Sequence, residues 1–145
     1  GKTELQMPVF TCGGMRYQHQ WQDTDPKDIP KKNQENLEAT IHRALELGIN
    51  HIETARGYGT SEMQLGWLLP KLPREKMMVQ TKISPFATQK EFYETFDQSM
   101  KYLNLLPKNF INFSQLDGGI TALIKLFFVF VNNSKLFTFI QNGTD

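Results

Sequence analysis

With 145 residues and a formal net charge of +1, the chain is sized for one ordinary domain and offers no electrostatic case for binding nucleic acid or an anionic membrane surface. Hydrophobic residues make up 39% of it and aromatic residues 12%, enough to build a core. Cys12 is the only cysteine, which excludes an internal disulfide and a multi-cysteine metal or iron–sulfur site, and fits a reducing, cytoplasmic setting. The first residues are polar and lack an apolar core segment, so no signal peptide is expected there, and Gly1 in place of methionine reads as a trimmed or incomplete start.

Thr3 to Met15 reads as two short strands with Pro8 near their junction; Val9, Phe10 and Thr11 lead into Gly13-Gly14, a strand end with exposed backbone. Arg16 to Lys32 is polar, carries Pro26 and Pro30, and reads as a long loop. Asn33 is the expected cap of a helix whose apolar stripe is Leu37, Ile41, Ala44 and Leu45, ended by Gly48. Ile49 to Glu53 reads as a strand. Ser61 and Gln64 have the spacing of a capping box, followed by Leu65, Leu68 and Leu69, with Pro70 near the stop. Met77 to Ile83 is a second clear strand, with Met78, Gln80 and Lys82 on one face and Met77, Val79, Thr81 and Ile83 on the other. Thr88 and Glu91 make another capping box, and Phe92, Phe96, Met100 and Leu103 line the helix behind it; Phe110 to Leu116 is a candidate further strand.

Strands alternating with helices of this length imply βαβ units and a parallel sheet. In such sheets chemistry gathers at the carboxyl ends of the strands and in the loops that follow them. Gly13-Gly14, Glu53, Tyr58 and Lys82 all fall there, from three successive strands. Each has a plainer reading as well. Tyr58 suits an ordinary loop, Lys82 suits an edge strand guarded against pairing, Glu53 suits a solvated strand end, and Gly13-Gly14 lacks the usual dinucleotide fingerprint. His51 shares the face of Glu53 and fits a hydrogen-bonded barrel residue better than a catalyst; His19 and His42 read as surface residues. Trp21, in the first βα loop, suits either a pocket wall or a packed loop anchor.

The run Ile52-Glu53-Thr54-Ala55-Arg56-Gly57-Tyr58-Gly59-Thr60-Ser61-Glu62, followed by Leu65-Gly66, resembles the signature of the aldo-keto reductases. Gly1 to Met7 resembles their N-terminal hairpin, Cys12-Gly13-Gly14-Met15-Arg16 the end of their first barrel strand, and Gln80-Thr81-Lys82 the strand bearing their catalytic lysine. The Gly-Gly-Met-Arg variant is similar to a branch that often carries a C-terminal iron–sulfur segment, for which this sequence has no counterpart. The resemblance implies an α/β fold: a partial (β/α)8 TIM barrel of an N-terminal hairpin and three to four βα units, not closed, since the full barrel takes about 250 residues. It further implies reduction of a small carbonyl substrate, aldehyde or ketone, by hydride transfer from NADPH or NADH. Tyr58 would be the proton donor, Lys82 its cationic partner and Glu53 the carboxylate, with Gly13, Gly14, Met15, Glu53 and Tyr58 bordering the cofactor. A free phenol ionises near pH 10, and a neighbouring ammonium favours its phenolate.

The sequence departs from the family pattern in three respects. Glu53 stands where aspartate is usual, and an arm longer by about one methylene can displace the carboxylate by about 1 Å. No histidine follows His51, and Asp117 is the nearest counterpart by position to the histidine expected after the fourth strand. Most of the family's contacts to the cofactor phosphate belong to the second half of the barrel. Composition also changes along the chain: seven of the eleven Phe lie after Asn109, and only Asp117, Lys125, Lys135 and Asp145 are charged there. Leu123 to Val131 is too short and too interrupted by Lys125 and Asn132-Asn133-Ser134-Lys135 for a membrane helix, and reads as a buried or aggregation-prone strand. The expected division is therefore a half-barrel over 1–105 and a divergent Phe-rich tail over 106–145. An open sheet edge would invite self-association. Two functions stay open: a carbonyl reductase, or a truncated, inactive remnant that serves as a partner-binding module.

Overall fold

The computed structural model describes residues 7–84, 88–105, 124–132 and 135–142. Three parallel strands form its centre: β1 (Cys12–Gly13), β2 (His51–Glu53) and β3 (Met78–Ile83). Helix α1 (Lys31–Glu46) connects β1 to β2, α2 (Ser61–Leu68) connects β2 to β3, and α3 (Gln89–Tyr102) follows β3. The alternation expected from the sequence is therefore present as three successive βα units, and the parallel sheet does not close. The N-terminal hairpin falls largely on residues 1–6, and the candidate strand Phe110 to Leu116 falls within 106–123; both lie outside the described residues.

Periodicity explains the helices. On α1, Leu37 and Ile41 are fully buried and Ala44 nearly so. Burying a Leu or Ile side chain contributes roughly 1.5–3 kcal/mol. Leu37 and Ile41 pack with Ile52, Leu65, Leu68, Met77, Val79, Ile83, Phe96, Met100 and Leu103 into one core between the sheet and the helices. Past the end of α1, the Gly48 N–H donates to the Leu45 carbonyl and the Ile49 N–H to that of Ala44, with Gly48 at φ +78. This paired closure satisfies carbonyls that the helix end leaves free and calls for glycine at the left-handed position. The Thr88–Glu91 box at the start of α3 is formed in both directions.

Two expected caps are not formed, for the same reason. Helix α1 starts at Lys31 behind Pro30, and the Asn33 side-chain oxygen Oδ1 accepts from the Gln64 side-chain amide at 2.6 Å instead of capping. Ser61 does not box with Gln64; its hydroxyl meets Thr54 Oγ1 at 2.7 Å and donates to the Gly14 carbonyl at 3.1 Å. The Gln64 oxygen accepts from the His19 N–H and the Thr60 hydroxyl. Helix α2 is buried from Ser61 to Gly66, so its polar side chains must satisfy the neighbouring loop backbone rather than their own helix end.

β1 is also shorter than expected. Val9 and Phe10 are exposed and lie outside it; among the described residues β1 pairs with β2, which is itself three residues long. On the other side, β4 (Ile124–Asn132) pairs antiparallel with β3, and β5 (Lys135–Asn142) pairs antiparallel with β4. The sheet order is β1-β2-β3-β4-β5. Leu123 to Val131 is thus a strand from Ile124 onward, and it extends the sheet sideways from β3. Among the described residues, no helix is long and apolar enough to cross a membrane.

Candidate active site

The carboxyl ends of the three parallel strands converge on one place. Gly13, Glu53 and Gln80 lie side by side in register across β1, β2 and β3. Side chains two residues apart on a strand share a face, so Lys82 stands one step beyond Gln80 on the side of Glu53. Backbone bonds continue past the strand: the Thr54 N–H donates to the Gln80 carbonyl and the Arg56 N–H to the Lys82 carbonyl, at 2.7 and 2.9 Å. The loop that carries Tyr58 is thereby tied to the end of β3.

Lys82 Nζ forms an ion pair with Glu53 Oε1, both side chains being mostly buried. The same ammonium stands 4.7 Å from the centre of the Tyr58 ring, a favourable cation–aromatic contact. Trp21 meets Tyr58 edge to face, with ring centres 6.4 Å apart, while keeping 56% of its surface exposed. Trp21 therefore both contacts Tyr58 and faces solvent. The longer arm of Glu53 does not prevent pairing with Lys82.

Burial draws the Lys82 ammonium down to about 8; the Glu53 carboxylate acts in the opposite sense, favouring the charged amine. His51, two residues before Glu53 on β2, is buried. Its Nδ1 lies 2.8 Å from the Thr11 hydroxyl. Burial lowers the proton affinity of its ring, Gln80 opposes this through a hydrogen bond, and Lys82 adds to the lowering. At the end of β1, Gly13 and Met15 are exposed, whereas Gly14 is buried. The Gly14 N–H donates to the Glu53 carbonyl at 2.7 Å. A Cβ on Gly14 would lie 2.7 to 2.8 Å from the Tyr17 hydroxyl, the Glu53 carbonyl and the Ser61 hydroxyl, so the turn leaves no space for a side chain.

Sequence reasoning missed a second charged cluster beside this site. Glu62 is fully buried at the start of α2. It accepts from the Thr81 hydroxyl at 2.6 Å and faces Arg56 at 3.5 Å. Arg56 also pairs with Asp23. A carboxylate in the first turn of α2, ahead of Leu65, Leu68 and Leu69, was the available signal, but its partners share no spacing rule with it. Burial raises the Glu62 carboxyl above its usual value, against the opposing effects of Thr81, Arg56 and Ser99. A carboxyl raised on folding binds its proton more tightly when folded. Its stabilising contribution is thus complete below the ordinary value of 4.5 and is lost as pH rises through the raised value. Glu62→Gln cannot titrate, so its stability relative to the parent is expected to improve from about pH 4.5 toward neutrality. Urea unfolding across that window checks this; a pH-independent difference would contradict it.

Asp117 lies outside the described residues, so its relation to the pair is not part of this geometry. No group of three or more His, Cys, Asp or Glu side chains is placed to hold a metal ion among the described residues.

The family model described as the aldo/keto reductase family matches residues 10–110. The NADH-specific methylglyoxal reductase of Escherichia coli (strain K12) is 40% identical over 73 residues, which are 48% of this chain and 22% of that protein. A solved aldo-keto reductase from Pseudomonas aeruginosa superposes with a TM-score of 0.57 at 27% identity, covering 72% of this chain and 41% of that one. A thermostable aldo-keto reductase solved with the inhibitor epalrestat shares the fold at 20% identity, with a TM-score of 0.55 and coverage of 72% and 37%. The matched region is thus less than half the length of each of these relatives. The family match runs through all three βα units, from β1 to beyond the end of α3, and on that ground this chain belongs to the aldo/keto reductase family.

Proposed function

We propose that this chain carries the proton-donating half of an NAD(P)H-dependent carbonyl reductase site, which converts an aldehyde or ketone to an alcohol. The observation that carries the reading is the Lys82–Glu53 ion pair set against the Tyr58 ring. The residues present fit the nicotinamide end of such a cofactor: Gly13 is exposed beside the pair, and a Cβ there would meet nothing nearer than Glu53 Oε2 at 3.6 Å. Gly13 and Met15 would border the cofactor with Glu53 and Tyr58, while Gly14 keeps the turn close to β2. NADPH or NADH, when bound, supplies the hydride to the carbonyl carbon.

Tyr58 donates its hydroxyl proton to the carbonyl oxygen, which leaves a phenolate that solvent reprotonates. The Lys82 ammonium favours that phenolate and so favours the transfer. Glu53 holds Lys82 in place and keeps it charged. The reaction then requires Lys82 protonated, and kcat/KM is expected to fall on the alkaline side as the ammonium is lost. Glu53→Gln removes the opposing carboxylate and moves that limb to lower pH. A pH profile of kcat/KM for the two proteins checks this; a limb that stays put contradicts the pairing of Glu53 with the functional lysine.

A second reading, an inactive remnant that binds partners, is favoured by one observation. β4 runs antiparallel along the edge of β3, where a closed (β/α)8 barrel would place its next parallel strand. The division into a half-barrel over 1–105 and a separate tail over 106–145 belongs to this reading, as does self-association through an open sheet edge. A cytoplasmic setting suits either reading. Titration with NADPH and with NADH separates them: micromolar quenching of tryptophan fluorescence supports the reductase, and no response to either nucleotide would leave the partner-binding reading.

A further inference from the structure

Outside the ion pair, the least expected feature is the reach of Arg56. Its side chain is 19% exposed and lies between two carboxylates, the buried Glu62 on α2 and the partly exposed Asp23 in the first βα loop. The guanidinium stands 4.8 Å from the centre of the Tyr102 ring on α3. The Tyr102 hydroxyl donates to the same Asp23 oxygen at 3.1 Å. The Arg56 N–H is bonded to the Lys82 carbonyl. One residue thus joins the first loop, α2, α3 and the strand end that bears Lys82. Burial would draw its proton affinity down, but Asp23 and Glu62 together hold it above the usual value.

The sequence around the clamp shows what it holds. Tyr58 follows Arg56 by two residues, and Trp21 precedes Asp23 by two. The clamp and the Trp21–Tyr58 contact therefore join the same two loops. A counter-charge for Glu62 alone would need no bond to Asp23. The geometry points to Arg56 as a positioning residue that fixes Tyr58 against Lys82 and holds the Trp21 loop on Tyr58. This rests on the reading of Tyr58 and Lys82 as the reaction centre. Lysine cannot reproduce the role, because it lacks the planar fork that spans two carboxylates.

The test uses Trp67→Phe as the parent, which leaves Trp21 as the sole tryptophan. In Arg56→Met and Arg56→Lys the fluorescence anisotropy of Trp21 is expected to fall, because the loop is released. For carbonyl reduction kcat is expected to fall by about ten- to a hundredfold with little change in KM, since a displacement of about 1 Å costs that much. Adding Arg56→Met to Tyr58→Phe should cost nothing more, because Arg56 acts through Tyr58. Should Arg56→Met fail to fold, Asp23→Ala cuts the same clamp at its exposed end while leaving Glu62 paired, and is expected to give the same anisotropy and kcat results. Unchanged anisotropy, full rescue by Arg56→Lys, or an equal further loss in the Tyr58→Phe background would each overturn the proposal. If the parent transfers no hydride, the reading of the reaction centre fails, and the anisotropy still decides whether the clamp holds the loop.

Discussion

Tyr58→Phe is expected to lower kcat for carbonyl reduction by about 10²- to 10⁴-fold, the usual contribution of a positioned acid, with nucleotide affinity unchanged. The substitution removes one hydroxyl from a half-buried ring and keeps the ring surfaces that meet Lys82 and Trp21. Its stability should therefore stay within about 0.5 kcal/mol of the parent. A loop tyrosine that serves only packing would lose little activity as phenylalanine, since packing is what phenylalanine keeps. Parallel measurement of kcat, nucleotide affinity and the urea midpoint decides the point. A large loss of kcat with the other two unmoved is the expected pattern, and an unchanged kcat would remove Tyr58 from the chemistry.

Gly59→Ala is expected to have the largest effect on stability, about 3 kcal/mol, from left-handed backbone strain of about 1–2 kcal/mol and steric displacement of a similar size. Gly59 sits at φ +52. A Cβ there would fall 1.9 Å from the Gln20 carbonyl oxygen and 2.6 Å from the Trp21 Cα. These are backbone atoms, which cannot rotate away. The Gln20 carbonyl also accepts from the Thr60 N–H at 3.1 Å, so separating the two loops breaks that bond as well. Two nearby glycines isolate the causes. Gly48 has φ +78 with open space around it, so Gly48→Ala carries the strain alone; Gly57 has neither positive φ nor a neighbour within 4 Å, so Gly57→Ala should be near neutral. Urea unfolding of the three variants should rank them in that order. Equal effects at Gly48 and Gly59 would contradict the close approach of the Trp21 loop to Gly59.

Much of this was legible in the sequence because the patterns were local. Leu37, Ile41 and Ala44 recur at helical spacing and are buried together; Thr88 and Glu91 sit three apart and cap each other. The Glu53–Lys82 pair follows from two neighbouring strand ends and the family signature, and the two side chains meet. What stayed hidden depended on distant partners. Asn33 and Gln64 looked like caps but bond each other across α1 and α2. Arg56 and Asp23 meet although far apart in the chain. Strand β5 has a signal of its own in the sequence, the β-branched and aromatic run Leu136 to Ile140.

The central claim is that Tyr58 and Lys82 in this chain serve hydride transfer to a carbonyl. It is tested most directly by incubating the protein with NADPH or NADH deuterated at the transferable position and a small aldehyde, and reading the label in the alcohol by mass spectrometry. The expected result is deuterium in the alcohol from the parent protein and a strongly reduced amount from Tyr58→Phe and Lys82→Met. No label above the protein-free control with either nucleotide, or equal label from all three proteins, would contradict it.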